Sequence, residues 1–473
     1  MWNAYSSYQQ SCCRGRIETM ITKNEIDIAR KCIKTALEKG AESVRISLNK
    51  SVSDSVTILN GKTDKVSHAA DRSLYFYIFT EGKYGTFSTN RVEDKDIDSF
   101  IENAIKMVRM LGEDACRRLP DVERTAKDAE TGTELGLYDF HYSPDDSDAR
   151  LTKASSLSNW KSGNAAGHYS IISEECEYTE SYDDSFLIDS QGFEGRHTET
   201  SFSAFAELTI ADMEGNKYSG FWWENTPFHD RLKFDKISSK ALERAVAQIG
   251  AKSRKGGKYK MVVDTSIATR LVSPILTALN GSSIQQKMSF LEDSVGKKIF
   301  SEGFTLMDLA RTPEKAGSRM FDTEGVATKD TSIIENGVVK QYFINTYMAG
   351  KMGIEPTIED ISRPCMKAFI KGDDLSCGEK EVSLKDILKL CGNGIYVTGF
   401  NGGNCNPVTG DFSYGVEGFA FSKGKITHPV KEMLITGNII ELWNNLIAAG
   451  SDARESSRWQ IPSIAFEGVS FSA

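Results

Sequence analysis

Between residues 22 and 40, apolar side chains recur at Ile26, Ala29, Ile33 and Leu37, the spacing of one helix face. Thr22 and Glu25 form a capping-box pattern ahead of them, and Gly40 supplies a stop. The period then changes to two. Val44, Ile46 and Leu48 alternate with polar neighbours, Val56 and Ile58 precede an Asn60-Gly61 turn, and residues 74–79 lead through Glu81-Gly82 into residues 84–87. Helical spacing returns over 96–111 with Ile97, Ile101, Ile105 and Val108. A helix, a small antiparallel sheet and a helix are thus expected over residues 20–111.

Periodicity dissolves over 112–150, where acidic residues outnumber basic ones, and an acidic surface connection is expected there. A strand-rich central region follows over 151–252. It opens with a helix near 147–160, continues with strands at 169–182, 186–189, 199–210 and 218–223, and closes with a helix near 236–249. Phe221, Trp222 and Trp223 suit either a core strand or an exposed aromatic patch, and core is the commoner fate. A third region over 253–473 starts with a strand at 259–263 and a helix at 266–279. An Asn336-Gly337 hairpin joins 331–335 to 338–343, and a helix at 383–391 precedes a strand at 395–400.

The stretch after that strand, NGGNCNPVTGDFSYGVEG at 401–418, is expected to be a tightly folded glycine-rich loop. It leads into a hairpin-like FAFSKGKITHPV. As a loop on a rigid scaffold it is equally a structural corner or a functional surface.

Composition narrows the classes. The 473 residues exceed one ordinary core. Hydrophobic residues at 40% and charged residues at 26% describe a globular chain, and no apolar run has the length of a membrane span. A net charge of −9 argues against direct nucleic-acid contact, and the basic run at 252–260 reads as a solvated loop. Nine cysteines, an odd number without CxxC spacing, suit a reducing, cytoplasmic setting. Residues 1–19 lack both a signal-peptide core and helical aliphatics, so a disordered extension before Met20 is expected.

Two long blocks carry a family resemblance. One is NPVTGDFSYGVEGFAFSKGKITHPV followed by ITGNIIELWNNLIAAGSD. The other is SSIQQKMSFLEDSVGKKI followed by FDTEGVATKDTSIIENGVVKQYFINTYMAGKMG. Their order and spacing resemble the TldD/PmbA family, once called modulators of DNA gyrase, across nearly everything after residue 22. The fold this implies is α+β: a helix-flanked antiparallel N-terminal sheet domain plus a sheet-rich C-terminal domain of the TldD/PmbA type.

The TldD half of that family resembles zinc metallopeptidases with HExxxH on a helix and a downstream cysteine ligand. In register, the histidine positions fall here on Ser273 and Ala278 and the glutamate position on Pro274. The six histidines are His68, His141, His168, His197, His229 and His428, with no two inside one helical turn, and no cysteine follows Gly450-Ser451-Asp452. The resemblance therefore implies the PmbA, or TldE, half: a metal-free subunit of a complex that trims or degrades peptides and unfolded segments. Zinc is expected only in a TldD-type partner, and no cofactor in this chain.

Residues Thr409, Gly410, Asp411, Ser413 and Gly415 are the candidate peptide-channel loop. Other constellations are weaker. Glu302, Asp308, Asp322 and Glu324 read as solvated carboxylates, and Cys405 reads as an inert thiol without a histidine. Asp411 and Ser413 lack a nucleophile-elbow context, and Gly402-Gly403 lacks phosphate-loop spacing. Two alternatives stay open: a peptidase active by itself through an unrecognised site, and a gyrase-related interaction protein. A homo-oligomer is expected when the chain is isolated.

Overall fold

The computed structural model describes residues 20–92, 96–143, 146–160, 168–372 and 381–473. The extension expected over 1–19 lies outside the described residues. Contacts divide the chain into two units. One runs as far as Ala245 and takes in Arg311–Thr328; the other comprises Val246–Ala310 and Lys329–Ala473.

In the first unit, α1 (Lys23–Glu38) precedes β1 (Ser43–Leu59), β2 (Lys62–Thr80) and β3 (Lys83–Thr89). Helices α2 (Ile97–Arg109) and α3 (Ser147–Leu157) follow, then β4 (Tyr169–Asp189), β5 (Glu194–Asp212), β6 (Lys217–Thr226) and α4 (Ile237–Val246). The capping box is complete: the Thr22 side chain accepts from the Glu25 N–H, and Glu25 accepts from the Thr22 N–H. All six strands form one antiparallel sheet in the order β3-β2-β1-β4-β5-β6.

The strands are longer than their apolar segments suggest. Residues 44–48 and 56–58 lie on one continuous strand, as do 169–182 and 186–189. The same face of β1 feeds two cores. Val44, Ile46 and Leu48 pack with α1 and α2, while Val56 and Ile58 pack with α3 and α4. Between these cores the face turns polar without leaving the sheet. Asp184, 2% exposed, accepts from the Arg196 guanidinium, the Thr198 and Tyr182 hydroxyls and the Ile21 N–H. A buried carboxylate is tolerated when its acceptor sites are filled in this way. Polar residues that read as strand breaks in sequence are therefore a buried seam within the sheet.

The segment Arg311–Thr328 brings Met320 and Phe321 into a small core with Leu135, Leu137, Leu187 and Phe193. Three carboxylates expected to be solvated are buried instead. Asp322 accepts the N–H groups of Glu324 and Val326, both at 2.9 Å, and Glu324 is 8% exposed. In the second unit Asp308 accepts the N–H groups of Ser362 and Arg363 at 2.9 and 2.7 Å. These side chains fasten loops because a carboxylate satisfies backbone donors that would otherwise be buried unpaired. Of the four, only Glu302 remains exposed.

The second unit contains β7 (Gly257–Val263), α5 (Thr269–Ala278), α6 (Gly281–Gln285), β8 (Leu306–Asp308), β9 (Thr331–Glu335), β10 (Val338–Val339) and α7 (Thr346–Met352). Next come β11 (Pro364–Met366), β12 (Phe369–Ile370), α8 (Leu384–Cys391), β13 (Gly394–Cys405), β14 (Asp411–Ser422), β15 (Lys425–Asn438), α9 (Ile439–Asn444), β16 (Leu446–Ala449) and β17 (Ile464–Ser472). A short sheet orders β10-β9-β8-β11. The larger one orders β12-β16-β17-β15-β14-β13-β7 and closes on itself through a β17–β7 pairing. Met261 and Val263 of β7 face the core that α5 and α9 cover, and Val262 faces the core under α8. Among the described residues, no helix is long and apolar enough to cross a membrane.

The glycine-rich stretch is mostly strand rather than loop. β13 continues to Cys405, only residues 406–410 turn, and β14 begins at Asp411. The reason is interstrand crowding. A Cβ on Gly403 would stand 2.0 Å from the Ser413 carbonyl oxygen across the ladder, so the residue permits a close approach between strands. Register shifts on both sides of Asn401 mark the same crowding.

Candidate functional site

Helix α5 buries Leu271, Val272, Ile275 and Leu276, leaving Arg270, Ser273 and Thr277 as an exposed stripe at helical spacing. Pro274 sits on the border of that stripe, where its missing N–H leaves the Arg270 carbonyl without the usual intrahelical donor. Thr277 donates back to the Ser273 carbonyl at 3.1 Å. Ser273 is exposed and Ala278 fully buried, so these two positions lie on different faces of α5.

Arg270 joins this stripe to the β13–β14 hairpin. Its Nη2 donates to the Gly403 carbonyl at 2.8 Å, and its guanidinium lies 5.1 Å from the centroid of the Tyr414 ring. Tyr414 is buried, stacks on Phe412 at 5.3 Å and meets Phe400 edge-on at 5.6 Å. Burial, and then the neighbouring Cys405, push its phenol up to about 12. It is a rigid neutral platform under the arginine.

The hairpin tip is fastened by its own side chains. Gly410 donates to the Asn406 carbonyl at 2.8 Å, and Val408 donates to Asn406 Oδ1 at 2.9 Å. Thr409 Oγ1 donates to Asp411 Oδ2 at 2.7 Å. Asn438 Nδ2 donates to both the Thr409 carbonyl and Asp411 Oδ1, at 2.8 and 3.0 Å, while its Oδ1 caps α9. These donors, Asn438 before Thr409, hold the Asp411 carboxyl below the usual carboxylate range. The Phe290 N–H donates to the Pro407 carbonyl at 3.0 Å. Ser413 and Gly415 lie further along β14, opposite Asn404 and Asn401 in register.

The structure thus gathers Thr409, Gly410 and Asp411 at one tip and sets Ser413 and Gly415 on the adjoining strand. Arg270, Phe290 and Asn438 were not anticipated. Asn438 ahead of Ile-Ile-Glu-Leu is a legible cap signal; the link from Arg270 to Gly403 spans 133 residues and has no local signature.

Burial, and then Asp411, raise the Cys405 thiol, which favours its protonated form. No histidine pairs with Cys405 among the described residues; His428 is exposed on β15 beside the Thr427 hydroxyl. Among the described residues, no group of three or more His, Cys, Asp or Glu is arranged to hold a metal ion. What the site does offer is backbone. β7 accompanies β13 only through Ile395–Val397, and residues 401–404 beyond are exposed.

Elsewhere, Trp222 is buried beneath the Lys240 ammonium at 3.6 Å, while Phe221 of the same strand is 40% exposed. Their split follows the strand's period of two.

Three family descriptions match the chain: PmbA/TldA metallopeptidase domain 1 over residues 44–108, the central domain over 145–249 and the C-terminal domain over 256–473. Metalloprotease PmbA of Escherichia coli O157:H7 is 25% identical over 92% of this chain and 94% of its own length. A proposed modulator of DNA gyrase from Bacteroides thetaiotaomicron is 38% identical, with a TM-score of 0.88 over 96% of this chain and all of that one. TldE from Thermococcus kodakarensis, at 19% identity, shares the fold with a TM-score of 0.77 over 94% of this chain and all of its own.

Proposed function

Because the chain belongs to the PmbA/TldD metallopeptidase family, we propose that it is the subunit without metal in a two-subunit peptidase. A TldD-type partner would supply the zinc and the chemistry. The observation that carries this reading is the residue set on α5. In the register that the family resemblance implies, Ser273, Pro274 and Ala278 take the positions of two imidazoles and a carboxylate, and none of the three can ligate zinc or activate its water.

The role left to this chain is to hold peptide. The exposed backbone of residues 401–404 and the hairpin tip beside Arg270 suit an extended segment bound through main-chain hydrogen bonds. Such bonds tolerate many sequences, which fits peptides and unfolded segments as substrates.

Co-purification with a TldD-type protein, followed by peptidase assays of each half and of the pair, tests the proposal. Activity only in the pair is the expected result. Metal-independent cleavage by this chain alone, or gyrase binding without any such partner, would replace it.

A further inference from the structure

β3 covers only part of its neighbour. It pairs with Leu74–Thr80 of β2, and among the described residues no strand pairs with β2 below Leu74 on that side. Residues 62–71 are exposed on both faces except Ser67, and Val66 is 65% exposed. Long open edges are templates for another strand, and proteins usually blunt them with charged side chains, proline, a bulge or a cover; this edge carries charges of both signs, which a second copy can match. Residues 65–72 contain no proline, and the one β1–β2 register shift falls on Asp64, which the ladder skips between Thr63 and Lys65.

The direction of the free backbone groups follows from the hairpin. The two-residue turn Glu81-Gly82, with φ of 52° and 65°, makes Thr80 and Lys83 a hydrogen-bonded pair. Even-numbered residues of β2 therefore point their N–H and C=O toward β3. Below Leu74, the even-numbered Val66, His68, Ala70 and Arg72 point theirs at the open edge.

We propose that this edge pairs with the same edge of a second copy of the chain, antiparallel about a two-fold axis at His68. Of the registers this parity allows, only that one sets Lys65 opposite Asp71. That ion pair then occurs twice by symmetry, as an isologous interface requires. The same register places Val66 opposite Ala70, covering an exposed valine that lies opposite the buried Val56 of β1, as Ala70 lies opposite the buried Val52. Existing contacts are compatible. Asp71 accepts from Ser73 at 3.0 Å, which leaves it further acceptor sites. His68 Nδ1 stays with Asp54 at 2.8 Å. The dimer is independent of the peptidase role.

Sedimentation of the full chain across a concentration series tests it. The wild type is expected to dimerise reversibly. Lys65→Asp places like charges opposite one another and weakens the dimer by about tenfold or more. Adding Asp71→Lys to that variant restores the pairing. Ala70→Pro removes an N–H aimed at the open edge, leaves the β1 ladder intact and abolishes the dimer. Thermal melts of Lys65→Asp and of the double variant verify folding, so the charge swap remains decisive if the proline variant misfolds. A chain that stays monomeric, pairs only with a metal-bearing subunit, or forms a dimer indifferent to the swap overturns the proposal.

Discussion

The carboxylate of Asp184 accepts the backbone N–H of Ile21 at 2.8 Å, joining residues 163 positions apart. The Arg196 guanidinium completes the clasp by bonding both the Asp184 carboxylate, at 2.5 Å, and the Ile21 carbonyl, at 3.2 Å. Lys50 Nζ adds a bond to the Met20 carbonyl at 3.0 Å. The entry to α1 is thereby fixed to the middle of the sheet, between its two apolar cores.

Asp184→Ala should therefore be costly. It leaves the half-buried Arg196 without its counter-ion and orphans the Ile21 N–H, a loss of about 3 kcal/mol. The denaturant midpoint of the first unit reads this directly. A chain beginning at Met20 keeps every one of these bonds and should melt with the full-length protein within error. A drop of several degrees would mean that residues 1–19 pack on the body.

Acid should loosen the same region. Burial pushes the Glu25 carboxyl up, but the N–H and hydroxyl of Thr22, with Lys50 and Arg72, favour the charged form and leave it below its ordinary 4.5. A carboxylate depressed on folding adds stability that is present above its unfolded pKa and is lost as pH falls through the folded value. Wild-type stability should decline below pH 4.5, and Glu25→Gln should flatten that decline while lowering stability at neutral pH. Parallel curves for the two proteins would show that the charge on Glu25 contributes nothing.

The hairpin tip separates channel from corner. Gly410 has φ of 79°, and a Cβ there would meet the Phe290 ring at 3.2 Å. Gly410→Val is thus strained by about 1–3 kcal/mol, and its melting temperature must accompany any activity measurement. Asp411→Asn keeps the shape and removes the charge. Reduced turnover by the reconstituted pair, with assembly unchanged, is expected of at least one variant. Wild-type cleavage by both, or unfolding by both, would reduce the tip to architecture.

Purified protein should carry no stoichiometric zinc, since Ser273, Pro274 and Ala278 lack the required donors. Elemental analysis that finds about one dialysis-resistant zinc per chain would overturn the assignment.

Local chemistry was readable wherever a structural choice depends on neighbours in sequence. The Thr22–Glu25 capping box and the Asn336-Gly337 turn, with φ of 48° and 78°, need only a few adjacent residues to specify them. The periods of two and 3.6 located the helices and strands for the same reason. The tip residues Thr409, Gly410 and Asp411 were legible as a turn through their backbone and side-chain types. Their fastening to Asn438 and Phe290 was not, because those bonds bridge separate elements.

By itself, the sequence determined element types, the family blocks and the absence of ligating side chains on α5, all properties of residue identity and short-range order. The tertiary structure decided that β1 and β4 run unbroken through polar residues, since Asp184 is acceptable there only because Arg196 arrives from β5. It also decided that a glycine-rich run is strand. The constraint on Gly403 is the Ser413 carbonyl of another strand, and a steric conflict between two strands is invisible until they are paired.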